Sequence, residues 1–229
     1  MVETALALVT REALDRVERD VHQIIAALLM LAEHHAATPV LARSLAQPVS
    51  VTSFGLKCML WAAPLIRSLQ RLQTTAANAC SVQLGGLGGM REQMKGAGSQ
   101  VVAHMATALN LQARPYACDT QRDEWVALGC EMALLVGSLG KMSADLSRMC
   151  QFEVNELERS SPDERAGGVS VMPSQAGKKD TTAACLVALT AAQRVPQSMA
   201  ALLAAMPQEH ESAPGNWPAL LAEWPTLVM

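Results

Sequence analysis

The chain has 229 residues, of which 50% are hydrophobic and only 17% charged, and its net charge is −3. With one Tyr, two Phe and no basic stripe, it is not expected to bind nucleic acid through phosphate contacts and base stacking. No apolar run approaches the ~20 residues of a membrane-spanning helix, so no membrane partner is expected. The excess of apolar residues instead predicts helices that bury a second face in a subunit interface.

The six cysteines do not indicate a metal site or a secreted protein. None forms a C-x-x-C pair, and no two His or Cys residues have ligand spacing on one helical face. The N-terminus lacks the charged-then-apolar pattern of a signal peptide. We therefore expect reduced thiols, a cytoplasmic location and no metal site.

The first predicted element is a long N-terminal helix. Its apolar residues recur at steps of three and four from Leu14 to Leu31, which is typical of a helix in a bundle. The helix is expected to end near residues 34–37, because Pro39 favours an extended backbone at the residue before it. A loop is predicted from there to about Val51.

Two further helices are predicted in the middle of the chain. The first covers residues 54–73, and the glycine cluster at residues 85–89 breaks the chain after it. A weaker helical pattern follows over residues 101–109. No segment alternates with a period of two over a useful length, so no strand is predicted.

The clearest periodicity runs from Trp125 to Met149 and predicts a helix that ends near Leu157. A final helix is predicted over residues 182–205, and the proline-containing residues 206–229 are predicted to be irregular. Together these patterns predict an all-α fold, an elongated bundle of about five long helices. Helices of this length fit a bundle that completes its core in an oligomer.

The segment between the last two predicted helices, residues 167–180 (GGVSVMPSQAGKKD), has no obvious role in packing. Its glycines free the backbone, its serines are potential nucleophiles or bases, and its lysines can hold an anion. The segment resembles the signature loop of the fumarase/aspartase superfamily, near G-S-S-x-M-P-x-K-x-N. Ser170 matches the second serine of this loop, and Val169 stands where the family has its catalytic serine. Lys179 matches the signature lysine if residues 174–177 are an insertion.

Other motifs occur in the same order as in that superfamily. They are T-P-V-L-A-R-S-L-A-Q followed by F-G-L-K at residues 38–57, Q-L-G-G at 83–86, T-Q-R-D at 120–123, G-S-L-G-K at 137–141, R-V-P at 194–196 and M-P-Q-E-H-E at 206–211. Together they resemble the 3-carboxy-cis,cis-muconate cycloisomerase branch. Ser44-Leu45 replaces the Thr-His pair of other superfamily members, and an apolar residue at this position is common in that branch.

The resemblance implies a fold of three helical domains whose central five-helix bundles join in a twenty-helix tetramer core. Residues 1–206 correspond to the central domain. Residues 207–229 correspond to an irregular extension where the third domain would begin. The N-terminal domain, with its T-S-x-D signature, is expected to be absent, so the chain resembles a truncated central-domain form.

The resemblance also implies an activity without a cofactor: lactonisation of a muconate polycarboxylate in bacterial aromatic-acid catabolism, in the β-ketoadipate pathway. It implies catalytic roles for Ser170 and Lys179. The residues implied to bind the small polycarboxylate substrate are Arg43, Ser44, Gln47, Gln121 and Arg122.

Two points stay open at the level of sequence. Because valine cannot transfer a proton, Val169 leaves a non-catalytic helical oligomer as the alternative to an active cycloisomerase, and another lyase of the superfamily is a third possibility. Arg122 opens a predicted helix, where an acidic residue is more usual, so it needs a carboxylate partner. That partner is either the substrate or one of its neighbours Asp123 and Glu124.

Overall fold

The helical periodicities of the sequence correspond to α-helices in the computed structural model, which describes residues 2–86, 89–117, 120–157, 175–211 and 217–228. For residues 175–182, 217 and 219 it describes only the backbone. The helices in these ranges are α1 (Val2–His34), α2 (Phe54–Ala79), α3 (Gly98–Leu109), α4 (Asp123–Met149), α5 (Gln175–Ala204) and α6 (Trp217–Val228). Two strands, β1 (Pro39–Ser44) and β2 (Gln47–Ser53), lie between α1 and α2. The predicted helical fold class is confirmed.

The chain divides into two compact units. The first comprises Met1–Ile25, Ile66–Leu134 and Val195–Met229, and the second comprises Ala26–Leu65 and Leu135–Arg194. Each unit has buried apolar residues of its own, such as Leu128 and Leu202 in the first and Leu65 and Leu135 in the second. The assignment of residues 1–206 to one domain stays a prediction.

The core of the first unit includes a tryptophan from the segment predicted to be irregular. Trp224 on α6 is 1% exposed, and its ring lies edge-on to that of Trp125 with 4.9 Å between centroids. Its indole N–H donates a 2.8 Å hydrogen bond to the hydroxyl of Thr10. The prediction of irregular structure was therefore wrong for residues 217–228. Pro218 lies in the first helical turn, where proline is tolerated, and burial of α6 outweighs the internal Pro225.

The second unit contains an antiparallel β-hairpin where a loop was predicted. Its register pairs Pro39 with Ser53 and Ser44 with Gln47, with an irregularity between Ala42 and Arg43. The expectation that this segment forms no strand was wrong, because the strands are mostly exposed and no buried face imposes a long alternation of apolar and polar residues. Their pairing depends on backbone hydrogen bonds rather than on a buried face.

The base of this hairpin is held against the end of α1. The N–H of Phe54 donates to the carbonyl of Thr38 at 2.9 Å, and the N–H of Gly55 donates to the carbonyl of His35 at 3.0 Å. A Cβ on Gly55 would lie 2.5 Å from the carbonyl oxygen of Ala32, so only glycine fits this approach. The contact fixes where the hairpin leaves α1 and enters α2.

Several helix boundaries differ from those predicted. α4 ends at Met149 rather than near Leu157, because the N–H groups of Glu156 and Leu157 turn back to the Met149 carbonyl at 3.0 and 3.3 Å. Helix α5 begins at Gln175, inside the segment predicted as a loop. The turn after α4 matters for the site described below, because it brings Glu156 beside the hairpin.

Helix α4 meets the length and hydropathy criteria for a membrane span, with a mean hydropathy of 1.3 over its most apolar window. Its apolar residues include Trp125, Leu128, Met132 and Leu135, all of which are buried in the protein. A core helix of a soluble protein meets the same criteria, so this finding by itself does not indicate a membrane protein.

Candidate anion-binding site

A cavity of about 880 Å³ opens beside the hairpin in the second unit. The hairpin, the start of α2, the end of α4 and the turn after it line this cavity. Among the described residues, its charged lining consists of one carboxylate, Asp145, and four cations, Arg43, Lys57, Lys141 and Arg148. The excess of positive charge suits an anionic ligand.

Arg43 extends from β1 and forms a bidentate ion pair with Glu156. Its Nη1 and Nη2 donate to the two carboxylate oxygens at 2.7 and 2.8 Å. These bonds lower the pKa of the Glu156 carboxyl below its ordinary value of 4.5, and the Leu41 N–H and the Lys57 charge act in the same direction. The pair fastens the hairpin to the turn after α4.

The Arg43–Glu156 pair predicts an acid-dependent contribution to stability. Because the pKa of Glu156 is lower in the folded state, its stabilising effect is present above about pH 4.5 and is lost as the pH falls through the lowered pKa. Glu156→Gln is therefore expected to destabilise the protein at neutral pH and progressively less in acid. The measurement is thermal unfolding of the wild-type protein and of Glu156→Gln, from neutral pH to below the lowered pKa of Glu156.

Glu12→Gln is the matched control for this experiment. Glu12 pairs with Arg16 on the surface of α1, with about two thirds of each side chain exposed, so its removal should change stability little at any pH. A constant difference between Glu156→Gln and wild type across the titration would contradict the predicted linkage.

Asp145 lies at the centre of a second polar group in the cavity. The buried indole of Trp61 donates a 2.7 Å hydrogen bond to its carboxylate, and Lys141 forms an ion pair with the same oxygen. The Lys141 ammonium also lies 6.0 Å from the centre of the Trp61 ring. Because Trp61 packs edge-on against Phe54, the group is anchored in the core of this unit.

The structure brings three of the predicted substrate-binding residues, Arg43, Ser44 and Gln47, together on the hairpin. Ser44 and Gln47 face each other at its closed end, and both are exposed without lining the cavity. The turn between them consists of Leu45 and Ala46, with φ angles of 50° and 62°. This conformation normally favours Asn or Gly, so the turn is strained.

The other two predicted substrate-binding residues, Gln121 and Arg122, belong to the first unit. Gln121 is exposed, whereas Arg122 is only 4% exposed and its Nη1 lies 2.5 Å from a carboxylate oxygen of Glu3. Among the described residues, Glu3 is a carboxylate partner of the kind that the sequence required for Arg122. A buried pair of this kind holds the start of α1 beside the start of α4.

Neither predicted catalytic side chain is among those that the structure describes. Ser170 lies outside the described residues, as does Val169. Lys179 lies in helix α5, but only its backbone is described. Their roles stay predictions.

The sequence did not predict Lys57, Lys141, Asp145 or Arg148 as site residues. Their spacing contained a signal, because residues 141, 145 and 148 follow the i, i+4, i+7 pattern of a single helical face. Lys57 lies one turn into α2, directly after the hairpin. The signal was obscured because the face is directed toward a hairpin that the sequence pattern did not predict.

Cysteine chemistry is not favoured at the thiols whose pKa is shifted. Burial raises the pKa of Cys58 and Cys185 and raises that of Cys80 to about 11, which disfavours the thiolate needed of a nucleophile. Within the described part of the chain, no three His, Cys, Asp or Glu residues cluster as metal ligands.

The fold is a helical bundle with a basic cavity, and the lyase family model matches residues 1–194. The chain therefore belongs to this family, and the predicted resemblance to the fumarase/aspartase superfamily is confirmed. It is 34% identical to 3-carboxy-cis,cis-muconate cycloisomerase of Bradyrhizobium diazoefficiens, over 99% of this chain and 49% of that protein.

Two further matches carry related names. The chain is 35% identical to 3-carboxy-cis,cis-muconate cycloisomerase of Pseudomonas putida, over 99% of this chain and 52% of that protein. The crystal structure of 3-carboxy-cis,cis-muconate lactonizing enzyme from Pseudomonas putida superimposes with a TM-score of 0.87 at 32% identity, over 99% of this chain and 48% of that one. The chain thus spans about half the length of the curated relatives it matches.

Proposed function

We propose that the chain functions as a cycloisomerase-type lyase that lactonises a carboxylated muconate, a small polycarboxylate. The observation that carries this proposal is the cavity beside the hairpin, whose described lining has four cations and one carboxylate. A substrate with several carboxylates needs such charge to offset its desolvation. The similarity to cycloisomerases over nearly the whole of this chain supports the same reaction class.

In the proposed reaction, a carboxylate oxygen of the substrate forms a bond to one carbon of a neighbouring double bond. The electron pair of that double bond moves toward the adjacent carboxylate, and a proton is added at the carbon next to it. Negative charge develops on this enediolate-like group, so fixed cations lower the barrier. The reaction as proposed requires no metal or organic cofactor.

The proposed roles follow this chemistry. Ser170 exchanges the proton and Lys179 holds the developing anion, while Arg43, Ser44 and Gln47 contact the substrate carboxylates. Gln121 and Arg122 are proposed to complete the substrate contacts. For Arg122 this requires a substrate carboxylate to take the place of Glu3.

We further propose that the protein is cytoplasmic and works as a homotetramer. Large apolar side chains are exposed on several helices, including Val9 and Met30 on α1, Leu60 on α2 and Val187 on α5. Packing of these faces against other copies would remove them from water.

A non-catalytic helical oligomer is the second candidate, and Val169 favours it because valine stands at the position of the family's catalytic serine. Another superfamily lyase is less supported. Leu45 removes the imidazole of the Thr-His pair, and the named relatives above are cycloisomerases.

The test is the loss of ultraviolet absorbance of a carboxymuconate diene on addition of the purified protein. We expect a measurable rate that is abolished by Ser170→Ala and increased by Val169→Ser, because a hydroxyl is restored at the position of the family's base. Sedimentation and circular dichroism of each variant provide the controls for assembly and folding. If a folded tetramer and its Val169→Ser variant both leave the diene unchanged, the non-catalytic alternative is correct.

A further inference from the structure

The cations of the cavity beside the hairpin fall into two groups. Arg43 is engaged by Glu156, and Lys141 is engaged by Asp145. Neither Lys57 nor Arg148 has a carboxylate within ion-pair distance among the described residues, although Lys57 lies close enough to lower the pKa of Glu156. The positive charge that remains for a ligand therefore comes from Lys57 and Arg148.

We propose that Lys57 and Arg148 are the pair that binds the carboxylates of an anionic ligand in this cavity. The inference deepens the proposed function and depends on it only for the choice of a carboxylate ligand. Arg43 then contributes less to ligand binding than this pair, because Glu156 already neutralises its guanidinium and the two residues stabilise the hairpin. The pair differs from the substrate-binding residues that the sequence suggested.

The positions of the two residues suit this role. Lys57 lies in the first turns of α2, and its ammonium has only a long 3.5 Å contact to the carbonyl of Leu41. Arg148 lies in the last turn of α4, one turn beyond Asp145, and is exposed. Two cations that converge on one cavity from different helices are suited to two carboxylates of the same ligand.

The general attraction of a cation to a helix C-terminus also accounts for a basic residue at position 148. That effect requires neither Lys57 nor an anion, so measurement of ligand binding separates the two explanations. If the helix C-terminus alone explained Arg148, the effects of substituting Lys57 and Arg148 on ligand affinity would be independent. A ligand bound by both residues couples these effects.

The experiment is calorimetric titration of the full chain with propane-1,2,3-tricarboxylate, an unreactive polycarboxylate. We expect Lys57→Gln and Arg148→Gln each to weaken binding by roughly tenfold, because each removes a charge-assisted contact. Lys57→Arg should retain most of the affinity. Arg67→Gln is the matched control: it removes one positive charge from an exposed position on α2 that does not line the cavity, and it should change affinity less than about twofold.

Binding that is weakened in the two glutamine variants and kept in Arg67→Gln would support the pair. Unchanged binding in both variants would overturn it and leave the cycloisomerase proposal intact. Equal weakening by Arg67→Gln would also overturn it, since general electrostatics would then be sufficient. If wild type does not bind the tricarboxylate, the pair is rejected, and the diene assay still judges the reaction separately.

Discussion

Gly55→Ala is expected to lower the free energy of unfolding by about 3 kcal/mol, near the upper end of the range for overpacked sites. The new Cβ would lie 2.5 Å from the carbonyl oxygen of Ala32 and 2.9 Å from the Cα of Ala36. Both are backbone atoms, so no side-chain rotation relieves the contact. Denaturant unfolding followed by circular dichroism measures the change.

Gly137→Ala is the matched control, and its expected effect has the opposite sign. Gly137 lies inside α4, and a Cβ there meets nothing within 4 Å. Alanine should therefore stabilise the helix by about 0.5–1 kcal/mol through its helix propensity. If Gly55→Ala proved neutral or stabilising, the close approach of α2 to the end of α1 would be wrong, and so would the position of the hairpin derived from it.

Trp224→Ala is expected to destabilise the protein by about 3–5 kcal/mol, as is usual for the loss of a buried aromatic residue. The substitution removes a fully buried ring, its edge-on contact with Trp125 and its hydrogen bond to Thr10. Thermal or denaturant unfolding gives the magnitude.

Trp224→Phe separates the parts of this effect. It keeps an aromatic ring but removes the indole N–H, so most of the packing survives while the hydroxyl of Thr10 loses its donor. The expected cost is correspondingly smaller, about 1–2 kcal/mol. A Trp224→Ala effect below that of Trp224→Phe would mean that α6 does not pack into the first unit.

The sequence predicted the helices that bury one continuous apolar face. The three-four alternation from Leu14 to Leu31, and again from Trp125 to Met149, predicted α1 and α4 because periodic burial leaves a periodic pattern. It was uninformative for the hairpin, whose residues are mostly exposed on both faces. It also failed for α6, because the prolines of residues 206–229 were interpreted as a sign of irregular structure.

For the site, the sequence identified the motif at residues 38–57 but neither its hairpin structure nor its partners. Arg43, predicted to bind substrate, lines the cavity, but the sequence did not reveal its pairing with Glu156, which joins residues more than a hundred positions apart. Lys57 and Arg148 likewise line one cavity only because α2 begins and α4 ends beside the hairpin. No local pattern encodes such distances.

The sequence by itself determined the helical class and the family, because side-chain periodicity and ordered motifs are local properties of the chain. Only the tertiary structure decided which charges neutralise one another. Arg43 with Glu156 and Arg122 with Glu3 became pairs through the packing of distant segments, whereas Lys141 and Asp145 lie one turn apart on α4 and only their position beside the hairpin depends on packing. Within the described lining of the cavity, that pairing leaves Lys57 and Arg148 as the cations without an ion-pair partner, since Coulomb interactions depend on distance in space and not on position in the chain.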